Sequence, residues 1–245
     1  MLVRLAAVFA GSPRREVAGC GFVTAVMLCS LSGCGSLNLA RTLGRGNSEV
    51  SGSLGGPMVR VGDAVTPLPL MRLAARHGIT DDLDLMGHLS LETVPSPALG
   101  LSFGFVGQMT RTPGGLALAF SGRLNALIDL DDAVAPRFFP EFGLHAELPL
   151  SPTFQVFFGA AMLMQLDAPR ARPSLFASPY LGLEASFYPV RDAEGRATEQ
   201  TGVALQLGWI SPWEDSTSFV HWFPEGAGAF TVLLSGRHRF GGIGR

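Results

Sequence analysis

Apolar and polar side chains alternate with period two through most of the chain beyond residue 49. In Leu116–Leu130, Leu116, Leu118, Phe120, Leu124 and Ile128 share one face, and Ala119, Ser121, Arg123, Asn125 and Asp129 share the other. In Phe138–Leu148, Phe138, Phe142, Leu144 and Leu148 oppose Phe139, Glu141, His145 and Glu147. The same pattern recurs in Leu83–Glu92, Leu99–Val106, Phe154–Leu166, Leu181–Tyr188, Val203–Trp209 and Phe230–Arg239. Two weaker runs, Val50–Val61 and Leu68–His77, open the array. Successive side chains on a strand point to opposite faces, so this periodicity predicts strands, about ten of them (8–12).

Two all-β architectures use such strands. In a soluble sandwich the apolar face is the core, and strands average about five or six residues. In a transmembrane barrel the apolar face meets lipid, and a strand needs roughly 9–11 residues to cross. Many of the runs reach that length. Their opposite faces mix Gly, Ala and Ser with Arg, Glu, Asp, Gln and His, as a narrow polar interior requires, whereas a solvated exterior would carry more charge. The sequence therefore predicts an all-β fold, an antiparallel up-and-down β-barrel spanning a membrane. Closure pairs every backbone amide inside the lipid, where an open sheet edge is prohibitive.

Composition agrees. Only 16% of residues are charged and 47% are hydrophobic, against about a quarter charged in soluble domains. Yet beyond the N-terminal segment no run approaches the ~20 continuous apolar residues of a membrane helix. The formal net charge of −2 gives no basic surface for nucleic acid. All 18 basic residues are Arg, which reads as codon bias rather than a demand for guanidinium.

The first residues have another logic. Arg4, Arg14 and Arg15 precede an apolar core from Val17 to Leu31, followed by small residues before Cys34. That is the order of a secretory signal peptide. Leu31-Ser32-Gly33-Cys34 resembles the bacterial lipobox, which implies diacylglycerol on the Cys34 thiol and cleavage before it. The expected organisation is a signal peptide at 1–33, a small and polar tether at 34–48 and a barrel at 49–245. Cleavage discards Cys20 and Cys29, and the lipid consumes Cys34. The mature chain of 245 − 33 = 212 residues then holds no free thiol, as suits an exported protein. Two acyl chains on one Cys anchor stably. Gly35 stands where lipoproteins retained in the inner membrane carry Asp, so the resemblance implies the outer membrane.

Ala75–Ser90, "ARHGITDDLDLMGHLS", resembles the strand–turn–strand element of bacterial outer-membrane barrels, in which a periplasmic turn joins two strands. With Val50 opening the first upward strand, the periplasmic turns fall at "GITDD", "TPGG", "SPT" and "RDAEGRATEQ", the last long for its side. Longer outer loops fall between. Phe240, near the C-terminus, takes the place of the terminal aromatic residue that such barrels present for insertion.

Sequence motifs for nucleotide, phosphate or zinc-protease chemistry are absent. The five histidines lack metal-ligand spacing, and neither metal nor cofactor is expected. Arg123, Asp129, Glu141, His145, Glu147, Glu184, Arg237 and Arg239 are the candidates for the barrel interior, where their charges would pair to fill a small lumen or line a pore. His145 and Glu147 share a strand face, in partial resemblance to the His-x-Ser pair of lipid A deacylase barrels. Position 147 is Glu where that family has Ser. The loop bearing Trp213, His221, Trp222 and Phe223 reads as an interfacial aromatic girdle, and Arg170 and Arg172 as solvated loop residues within reach of lipopolysaccharide phosphates. Three functions remain open: a non-enzymatic outer-membrane barrel lipoprotein with a structural or narrow-pore role; a periplasm-facing, lipid-anchored sandwich or lipocalin-like barrel binding an apolar ligand; and a lipid-A-modifying barrel enzyme. The partners expected are outer-membrane lipid and, at the outer loops, lipopolysaccharide.

Overall fold

The fold comes from a computed structural model, which describes residues 40–61, 64–92, 98–110, 115–129, 137–164, 166, 175–191, 197–211 and 228–241. The signal segment, Cys34, Arg170, Arg172, Trp213, His221, Trp222 and Phe223 lie outside the described residues. Among the described residues, eleven strands form one sheet: β1 (Ser48–Val61), β2 (Ala64–Pro67), β3 (Leu70–Gly78), β4 (Leu83–Glu92), β5 (Ala98–Gln108), β6 (Ala117–Asp129), β7 (Arg137–Pro149), β8 (Phe154–Met164), β9 (Leu175–Arg191), β10 (Ala197–Ile210) and β11 (Ala229–Phe240). Each wall strand pairs antiparallel with its neighbour in sequence, and β11 pairs back onto β1, from Ser48↔Phe240 to Pro57↔Thr231. The short β2 pairs only with the end of β1, so ten strands close the barrel and β2 folds back as a hairpin above it. Among the described residues no helix is long and apolar enough to cross a membrane.

The alternation sorts side chains as the sequence predicts. Phe103, Leu144 and Leu73 point outward and are more than 60% exposed, while Phe157, Leu163 and Leu233 point inward and are almost wholly buried. The Leu116, Phe120 and Leu124 face is outward. An apolar outer wall around a charged interior is the polarity of a barrel that sits in a bilayer. On that wall the rings of Phe105 and Phe120, 5.7 Å apart and edge to face, lie across Gly122 and Gly107. The aromatic rings thus cover bare backbone on the neighbouring strand.

Two connections are tighter than the sequence suggests. Arg191 belongs to β9 and Ala197–Gln200 to β10, so the "RDAEGRATEQ" turn is not long. On the opposite side, Leu175–Pro179 extend β9 into what reads as a loop. Strand pairing continues because both segments find ladder partners, Ala177 on Met162 and Ala197 on Arg191.

Candidate functional site: the charged interior

The lumen is packed, and cross-strand register explains how. Large inward side chains face glycines on adjacent strands. Arg123 pairs with Gly104, Tyr180 with Gly159, and Phe157 with Gly182. A Cβ on Gly182 would lie 2.1 Å from the Phe157 ring, and one on Gly159 would lie 2.5 Å from the Tyr180 hydroxyl. Each glycine is a hole for one knob.

Within this packing the polar groups form four linked sets. In the first, Arg237 Nη1 donates to Glu49 Oε2 at 2.6 Å and Nε donates to Glu184 Oε1 at 2.7 Å. Glu184 also accepts from Gln155 Nε2 (2.9 Å) and Ser186 Oγ (3.2 Å), and Arg239 stands 3.8 Å from Glu49. In the second, Arg123 pairs with Glu141 at 3.3 Å, and Asn125 Nδ2 donates to the Phe139 carbonyl at 3.1 Å. In the third, His145 bonds Ser121 Oγ through Nε2 at 2.7 Å and the Tyr180 hydroxyl through Nδ1. A neutral imidazole donates at one nitrogen and accepts at the other, so these residues form a chain running one way.

The fourth set closes the short-turn end. Residues 40–47, the second half of the expected tether, are seated in the barrel mouth. Arg41 Nε lies 2.9 Å from Glu147 Oε1, Leu43 N donates to Asp84 Oδ2 at 2.9 Å, and Thr42 N donates to Gln108 Oε1 at 3.0 Å. Arg76 pairs with Asp84 at 2.6 Å and donates to the Arg41 carbonyl at 2.8 Å. The segment leaves solvent because its small and polar composition includes an Arg and two apolar side chains, Ala40 and Leu43, that the mouth buries.

Of the residues singled out from sequence, Arg123, Glu141, His145, Glu147, Glu184 and Arg237 are buried in the lumen, and Arg239 lies at its edge. Asp129 ends β6, and its side chain lies outside the described residues. His145 and Glu147 share a face but not a bond: His145 goes to Ser121 and Tyr180, Glu147 to Arg41. Sequence reasoning passed over Glu49, one residue before the expected strand start. Arg76 and Asp84 on inward positions, Tyr180 between an expected loop at 168–179 and the strand expected from Leu181, and Arg41 in the tether escaped it too.

Among the described residues, the cavity lined by Glu49, Arg76, His88, Arg123 and His145 measures about 20 Å³, room for about one water, while a more open one of about 400 Å³ reaches Glu49, Arg76 and Met86 beside Ser48, His77 and Phe240. A hollow of about 440 Å³ lies on the outer wall instead, over Gly52 and Gly236 and between Leu54, Met71 and Leu234. Among the described residues no group of three or more His, Cys, Asp or Glu is placed to hold a metal.

Fold and interior together define a closed up-and-down barrel of transmembrane polarity whose described inward side chains are packed and charge-paired. No family model matches the chain, and no curated protein matches it. Among solved structures it is similar to the N-terminal β-barrel domain of Pseudomonas aeruginosa OprF, at 12% identity over 80% of this chain and 99% of that one, with a TM-score of 0.39. It is also similar to the translocator domain of the autotransporter NalP from Neisseria meningitidis (10% identity, 93% and 97% covered, TM-score 0.39). A third is the NanC porin (6% identity, 77% and 98% covered, TM-score 0.41).

Proposed function

We propose that the chain is an outer-membrane barrel lipoprotein, exported on residues 1–33, anchored through diacylated Cys34, and acting as a non-enzymatic structural barrel that is closed at rest. The packed, charge-paired interior carries this reading. A pore needs a continuous polar path and a lipocalin-like carrier an apolar cavity, whereas this interior offers charged pairs and a cavity of about 20 Å³. The Ser121–His145–Tyr180 chain has the residue types of nucleophilic chemistry, and the described cavity beside His145 is about 20 Å³, which favours a structural role for it. Narrow passage is the second reading. Its support is the charged lining, and it requires the ion pairs to rearrange.

Reconstituted in planar bilayers, the mature protein is expected to give no steady single-channel steps, while migrating anomalously in unboiled detergent gels. Steady ohmic steps from heat-modifiable material would refute the closed-barrel reading in favour of a pore. For the anchor, labelled palmitate should enter the wild-type chain and be absent from Cys34→Ser. Label retained in that variant would remove Cys34 as the lipid site.

A further inference from the structure

Ala40–Asn47 behaves as a ligand of the barrel rather than as part of its wall. It contributes no strand to the sheet. Wholly buried Ala40 packs with Met86, Val106, Ala117 and Ala119. Arg41 reaches Glu147, the Thr42 amide reaches Gln108, and the Leu43 amide reaches Asp84. Thr42 Oγ1 also donates to the Asp81 carbonyl at 2.6 Å. After this seat the chain turns on Gly44 and Gly46, at φ 81° and 77°, a conformation glycine adopts without strain. The Gly44 carbonyl comes so close to Gly78 that a Cβ there would sit 1.9 Å from it. This jointed stretch separates the seated residues from the β1 ladder, which begins at Ser48.

We infer that the short-turn mouth is a docking site for a basic extended peptide of the pattern small–Arg–Thr–Leu–Gly, filled in cis by residues 40–44 and able to accept the same segment in trans. The first four positions each have a receptor group, and the fifth is a glycine at φ 81° where the chain turns. A side chain larger than Ala at the first position meets the floor formed by Val106 and Ala119. The second position offers a guanidinium to Glu147. The third and fourth present backbone amides to Gln108 and Asp84. The inference stands whether or not the lumen conducts, because it concerns the mouth alone.

The test uses the full mature chain in detergent. An Arg41→Glu/Leu43→Asp variant sets carboxylates against Glu147 and Asp84 and should vacate the seat. A labelled peptide of residues 38–46, NLARTLGRG, is then expected to bind this variant saturably, and wild type about tenfold or more weakly, since charge-assisted hydrogen bonds are at stake. A folded variant that ignores the peptide, or binds a scrambled one equally, overturns the inference. An independent arm removes one receptor charge: in Glu147→Gln, trypsin should cut after Arg41 about tenfold faster than in wild type. An unchanged cleavage rate there overturns the inference even if the double variant does not fold.

Discussion

Arg237→Leu is expected to destabilise the barrel by about 3–5 kcal/mol, the usual cost of leaving a buried charge without its partner. One guanidinium serves two carboxylates, from β1 and from β9, and all three side chains are nearly solvent-free. The two losses are unequal. Glu49 keeps Arg239 at 3.8 Å, whereas Glu184 is left with the neutral donors Gln155 and Ser186. Most of the cost therefore falls on Glu184, which makes a sharp prediction for the double variant. Arg237→Leu/Glu184→Leu should recover a large part of the loss, because replacing both members of a buried pair with apolar groups is often near neutral. Arg237→Lys should fall between, since an ammonium keeps the charge but cannot match the two-sided fork. The readout is the urea midpoint of the heat-modifiable band in detergent or lipid. Equal midpoints for Arg237→Leu and the double variant would show that Glu184 does not depend on Arg237.

The same triad shows what a sequence discloses and what it withholds. Period two assigns Glu184 and Arg237 to inward faces without any knowledge of neighbours. It does not disclose that they meet, because β9 and β11 are not adjacent: β10 lies between them, and Gly202 supplies the opening. A Cβ at Gly202 would stand 2.6 Å from Glu184 Oε1 and 3.2 Å from Arg237 Nε. Glu49 enters only through closure, 188 residues away from its partner. Arg123 and Glu141 are different. They sit opposite each other in one hairpin, so alternation and a turn position suffice to pair them. Tyr180 was hidden because Pro173 and Pro179 bracket its approach and read as loop, although Pro179 sits in the wall opposite Ala160. Arg41 was hidden because nothing in a short polar segment distinguishes a tether from a peptide that folds back into a cavity.

Exchanging the knob and hole of the β8–β9 pair is expected to recover part of the stability that the two single changes together remove. Phe157 and Gly182 are direct register partners. The atoms nearest a Cβ at Gly182 all belong to the Phe157 ring, at 2.1–2.7 Å. The closest obstruction is thus one side chain rather than backbone, and removing that side chain relieves it. Phe157→Gly alone deletes a fully buried ring and leaves a cavity beside Tyr180, Gly182 and Ala204, costing on the order of 3–5 kcal/mol. Gly182→Phe alone forces two rings into one space, with an overpacking cost of about 1–3 kcal/mol or more. Because each defect is the complement of the other, Phe157→Gly/Gly182→Phe should be more stable than the sum of the singles by about 0.5–3 kcal/mol, the coupling usual for residues in contact. Gly159 supplies the contrast. A Cβ there meets the Leu144 carbonyl at 2.2 Å as well as the Tyr180 hydroxyl, so the analogous exchange with Tyr180 leaves a backbone clash in place and should not rescue. Rescue at 157/182 without rescue at 159/180 would tie stability to the glycine that each ring faces. Additive losses at 157/182 would show instead that the lumen tolerates rearrangement, and with it the passage that a filled interior otherwise denies.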